Sequence, residues 1–91
     1  MNHERRKRIN ALKERIASLV SELTSDIKEE IGALRDEEQD CLDNMPESLQ
    51  NGEPGQAAAE AVDKLEEAIV AIETLESDAD DIANSLEEAA Q

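Results

Sequence analysis

Residues 56–90, QAAAEAVDKLEEAIVAIETLESDADDIANSLEEAA, decide the fold. Val62, Leu65, Ile69, Ile72, Ala79, Ala83 and Leu86 form one seam at helical steps of three and four, with Glu76 the single intruder. Ala61, Ala68, Leu75, Ile82 and Ala89 recur at intervals of seven beside it. Three apolar positions per heptad is wider than a two-stranded coiled coil needs and suits a helix in a bundle. Glu60 and Lys64 stand at the favourable i,i+4 spacing; most other outward sites are simply acidic.

Upstream, no proline interrupts the stretch from His3 to about Asp43. Ile9, Leu12, Ile16, Leu19 and Leu23 step by three and four, which predicts a coiled-coil seam on one long helix. Ile27, Ile31 and Leu34 follow after two consecutive steps of four, a stutter that relaxes the supercoil. Thr24-Ser25-Asp26 lies at the stutter and is able to cap a new helix, so a bend is expected near residues 24–26. Cys41, one heptad after Leu34, continues the seam as a small buried hydrophobe.

Between the helices, residues 44–55 hold both prolines and two of the three glycines. Met45-Pro46-Glu47-Ser48-Leu49 suits one helical turn, with Asn44 as its cap and Met45 and Leu49 folding it back on the hairpin. Pro54 suits the start of the second helix. The expectation is therefore a single all-α domain over residues 1–91, a long antiparallel helical hairpin with helices at about 3–43 and 56–90 and a turn at 44–55. Two helices alone do not cover a three-column stripe on each. The hairpin is expected to be coiled-coil-like and to assemble with itself into a helical bundle, most simply four helices from two chains.

Composition narrows the function. Nine Leu, seven Ile and three Val are joined by no aromatic residue, which excludes a base-stacking platform and an aromatic cage. Twenty-four acids against nine bases give a net charge of −15, which disfavours direct nucleic-acid binding. The charge is also uneven: residues 1–28 carry seven bases and four acids, and residues 29–91 carry two bases and twenty acids. One cysteine builds no disulfide framework, and no apolar run suits a membrane span or follows the basic N-terminus as a secretory signal would require. A cytoplasmic setting is the expectation.

Few residues carry chemistry. His3 has no second histidine or cysteine pair to share a metal with. Surrounding carboxylates disfavour a thiolate at Cys41. Neither Asp36-Glu37-Glu38-Gln39-Asp40 nor Asp78-Ala79-Asp80-Asp81 has the ligand alternation and glycine turn of a calcium loop. No phosphate-cradling glycine loop is present, and no nucleophile has a histidine base. The reading is of a non-enzyme with no cofactor and no metal.

Two resemblances accompany this reading. Asn2-His3-Glu4-Arg5-Arg6-Lys7-Arg8-Ile9-Asn10 resembles the basic region of basic helix-loop-helix proteins, and Leu65-Glu66-Glu67-Ala68-Ile69 is similar to that family's second helix. The resemblance implies a basic helix that enters the DNA major groove. Asp36-Glu37-Glu38-Gln39 leading to Asp43-Asn44-Met45-Pro46-Glu47-Ser48-Leu49-Gln50, then an alanine-rich acidic helix, resembles small helical proteins of phages and prophages that share a Met/Leu-Pro-Glu-x-Leu-Gln turn. Cys41 or Leu42 stands where those proteins often carry an aromatic residue. That resemblance implies a phage-encoded helical hairpin.

Together these readings predict an acidic protein–protein interaction module that binds itself and a basic protein, in a phage setting a host or defence protein. Its candidate contact residues are Asp36, Glu37, Glu38, Asp40 and Asp43. Two alternatives are a nucleic-acid mimic that occupies a basic enzyme's groove and an oligomeric nucleotide sponge built on Arg5, Arg6, Lys7 and Arg8. A virion structural protein is a third.

Overall fold

A computed structural model describes all residues from Met1 to Gln91. Helix α1 runs His3–Glu22 and continues through a π-helical segment, Leu23–Ile27, into α2, Lys28–Asp43. A single turn, α3, spans Glu47–Gln50, and α4 runs Glu53–Ala90. The chain is all-α with no strand, a long antiparallel hairpin of 68 × 17 × 12 Å. Its radius of gyration is 20.1 Å, against about 12 Å for a compact domain of this length. The shape is a rod.

The local signals explain the ends. Asn2 caps α1 by accepting from the Arg5 N–H at 2.9 Å. Pro54 lies in the first turn of α4, where its missing N–H costs nothing, so that helix begins three residues earlier than its alanine run suggests. Asn44 closes α2 instead of capping the next turn; its N–H donates to the Asp40 carbonyl at 3.0 Å. Pro46 precedes the first residue of α3 in extended backbone.

The joint between the arms has two locks. The Gln50 side-chain amide donates to the carbonyls of Leu42 at 3.0 Å and Asp43 at 3.4 Å, capping the last turn of α2 from across the turn. Gly55, buried in the first turn of α4, lies against the Gln50 backbone so closely that a Cβ there would collide with the Gln50 carbonyl. The turn motif thus serves the fold itself, tucking α3 under α4 and holding both to α2. Met45 is half-buried beside it, whereas Leu49 faces solvent.

No cap forms at Thr24-Ser25-Asp26. The Thr24 hydroxyl donates back to the Ser21 carbonyl at 3.4 Å, and helical backbone continues on both sides. The π segment accommodates one extra residue in the turn, and that is how the stutter is absorbed. Before it the inward positions are Ile9, Lys13, Ile16 and Val20; after it they are Lys28, Ile31, Arg35, Glu38 and Leu42. Both sets follow steps of three and four, but the second set is displaced by one residue.

This inner row corrects the expected seam. Leu12, Leu19, Ile27 and Leu34 are exposed, and Cys41, in the same column, is exposed with them. Lys13, Val20, Lys28 and Arg35 lie one position further along and face α4 in their place. The apolar stripe has three columns and a single partner helix covers only two, so the third is left outside. Long basic side chains tolerate the inner column because their stems lie along apolar surface while their heads reach water. On α4 the seam stands as expected: Val62, Ile72 and Ala79 are buried and Glu76 intrudes half-buried, while Ala58 extends the buried row one turn before Val62. Glu76 Oε1 is enclosed without a hydrogen bond and has Lys28 Nζ 3.6 Å away. The expected Glu60–Lys64 pair does not form; Lys64 turns to Glu67 at 3.2 Å.

Candidate functional site

The hairpin has two unlike broad faces. On one, Leu12, Leu19, Ile27 and Leu34 flank the inner row of the first arm, while Leu75 and Ile82 flank that of α4; these six side chains are between 41% and 68% exposed. Leu19, Leu23 and Leu75 meet over Ile16, Val20 and Ala79 in a wholly apolar groove, which places the two flanks on the same side of the rod. Ala17, Ser21, Thr24 and Asp80 line a groove on the opposite side. There the α4 flank is Glu66, Glu73, Asp80 and Glu87, an acidic row with a heptad spacing of roughly 10 Å. The side chains that alternate along each helix thus sort into an apolar face and an acidic face.

Asp36, Glu37, Asp40 and Asp43 are exposed along α2, while Glu38 is half-buried in the inner row. Sequence spacing sets Glu38 with its outward neighbours; the one-residue shift after the π segment turns it toward α4. Asp36 accepts from Arg35 at 3.1 Å and Asp43 from the Gln39 amide at 2.9 Å, whereas Glu37 and Asp40 make no ion pair. Across the whole chain only Asp36, Glu67, Glu73, Glu76 and Glu87 are ion-paired, so nineteen of the 24 carboxylates have no ion-pair partner.

The basic run begins α1 and is divided in its roles. The Arg6 guanidinium donates to the Ala90 carbonyl at 2.9 Å, closing the last turn of α4 where a cation also complements the helix dipole. Lys13 pairs with Glu87 at 3.2 Å. Arg5, Lys7, Arg8 and Arg15 make no ion pair. The bridge from Arg6 to the far end of the chain could not be read from spacing, since the two residues meet only once the hairpin closes.

The surface depressions are open grooves, with no enclosed chamber among them. No cluster of three or more His, Cys, Asp or Glu side chains is arranged to hold a metal ion, and no helix is long and apolar enough to cross a membrane. Neither a protein-family model, nor a characterised protein, nor a solved structure matches the chain.

Proposed function

We propose that the chain is a non-enzymatic, acidic interaction module whose working parts are its surfaces. The observation that carries this reading is the rod with nineteen unpaired carboxylates and an exposed apolar flank. Such a molecule binds by steering and by laying a side against another protein. A basic protein is the partner its acidic face fits, with Asp36, Glu37, Asp40 and Asp43 the exposed group beside the turn. The turn's resemblance to small phage proteins makes a host or defence protein the first one to try.

Nucleic-acid mimicry is the sharper form of the same idea. A net charge of −15 along 68 Å is about one charge per 4.5 Å, against roughly one per 1.7 Å of duplex DNA. A single chain therefore presents a diluted version of a duplex field, which supports general docking to a basic surface more than close imitation.

The test is binding of the purified chain to a basic nucleic-acid-binding enzyme, followed across a salt titration. Binding should weaken steadily as salt rises. Replacing Asp36, Asp40 and Asp43 together by Lys should abolish it while circular dichroism keeps its helical signal. Unchanged binding by that variant, or loss of binding instead on replacing Arg5, Arg6, Lys7 and Arg8 by Ala, overturns the acidic-face reading.

A further inference from the structure

We infer that the apolar flank is covered by a second copy of this chain, laid antiparallel, with its two-fold axis passing near Ile27 and Leu75. This deepens the interaction-module reading, on which it rests, by naming one partner and the side it occupies.

Three observations support it. The first is area. The chain exposes 6,654 Å², whereas a compact monomer of 10.0 kDa exposes about 5,200 Å². The excess of about 1,400 Å² is larger than the roughly 800 Å² that each partner contributes to a standard stable interface.

The second is phase. Leu12, Leu19, Ile27 and Leu34 are spaced seven, eight and seven residues apart, and the single extra residue falls in the π segment. The column therefore stays straight along the rod and parallel to Leu75 and Ile82. A continuous apolar column on both arms suits another pair of helices lying along it.

The third is charge, and it chooses the direction. Lys28 lies opposite Glu73 and Glu76 and marks the middle of the hairpin. The turn-ward half, residues 29–73, carries fourteen acids and two bases, a balance of −12; the remainder carries ten acids and seven bases, a balance of −3. Copies with their turns together would set −12 beside −12. Head-to-tail copies set each strongly acidic half beside the nearly neutral one. They also bring Arg15 near the partner's Glu37, since each lies three residues past the apolar column. Of the five cations without an ion pair in the chain, Arg15 thereby gains an acidic neighbour. The acidic row on the opposite side remains free.

Disulfide trapping tests the geometry directly. Leu12 and Cys41 lie about 22 Å on either side of Ile27 at about 1.5 Å per residue. In the antiparallel dimer each therefore meets the other's counterpart, and the two Cys41 thiols stay roughly 40 Å apart. Mild oxidation of the purified protein should leave the parent chain uncrosslinked. Leu12→Cys should give a covalent dimer on a non-reducing gel, and Ile27→Cys in a Cys41→Ser background should give another. Ala61→Cys should give none, because its counterpart in this dimer is Ala89; with turns together it would meet Cys41 of the other copy. Light scattering should give twice the chain mass. A monomeric mass, no dimer from Leu12→Cys, or a covalent dimer from Ala61→Cys each overturns the proposal. These measurements use the purified chain alone, so the dimer and the binding of a basic protein fail or succeed separately.

Discussion

Deleting Ser25 from the π segment should leave the hairpin intact, although a deletion elsewhere in a packed helix is disruptive. Inward positions run Ile9, Lys13, Ile16, Val20 and then Lys28, Ile31, Arg35, Glu38, Leu42. Removing one residue between the sets makes the steps alternate three and four from Ile9 to Leu42 without a break. The π turn then closes to an α turn, and neither the inner row nor the exposed apolar column changes face. Ser25 is itself exposed and makes no side-chain hydrogen bond, so the stability change should stay within about 1 kcal/mol. At roughly 4–8 °C per kcal/mol for a domain of this size, the melting temperature moves by no more than about 8 °C.

The matched control is deletion of Ala33, in the regular part of α2. There the loss rotates everything beyond it by about 100° relative to the preceding turns. Arg35 and Leu42 leave the inner row, and the Gln50 amide loses the carbonyls it caps. Lost aliphatic burial and two lost hydrogen bonds come to about 3 kcal/mol or more. Thermal melts followed by circular dichroism, run at equal concentration, compare the two. Equal and large destabilisation by both deletions would refute the view that the π turn holds a surplus residue.

Three further outcomes follow from the same packing. Gly55→Ala places a Cβ on the Gln50 carbonyl, so α3 and α4 must part; a loss of about 2–3 kcal/mol is expected, and a parent-like melt would show that the joint yields. Glu76→Leu replaces an enclosed, unbonded carboxylate oxygen by a methyl group while Lys28 keeps Glu73 at 3.7 Å. It should stabilise by about 1 kcal/mol in denaturant titration, and destabilisation would mean that the Lys28–Glu76 pair outweighs its desolvation. Finally, raising ionic strength from about 0.01 to 0.15 M shortens the screening length from about 30 to 8 Å and should raise the melting temperature, since few of the carboxylates are paired; a flat or falling curve contradicts net self-repulsion.

The α4 seam is legible in the sequence because its steps never lose phase and its only intruder, Glu76, keeps its place in the row. The first arm is legible as a helix but not as a face. With apolar residues in three columns, spacing does not say which two a single neighbour will cover. Four large hydrophobes, Leu12, Leu19, Ile27 and Leu34, lie in the column left outside, and Cys41 follows them there. The two successive steps of four near residues 23–31 do signal an irregularity; spacing does not say that it is a π turn inside a continuous helix and not a capped break. Of the acidic candidates, only Glu38 is misplaced by spacing, through the same one-residue shift. The division of the basic run, with Arg6 tied to Ala90, rests on a contact 84 residues apart, and local pattern carries no trace of it.

The two ends of the hairpin are unequal, and that sets the order in which it comes apart. At the turn the arms are covalently joined, capped by Gln50 and seated on Gly55. At the other end they are held by Arg6 on the Ala90 carbonyl and Lys13 on Glu87, both exposed contacts of the kind worth at most about 1 kcal/mol. The molecule therefore behaves as a zipper with one fixed stop. Local opening begins at the termini and travels toward the turn, each heptad that separates releasing the next, and amide exchange along α4 should slow steadily from Ala90 back toward Val62. The first segment set free is the one that carries Arg5, Lys7 and Arg8, so the positive end of this rod is also its most mobile end.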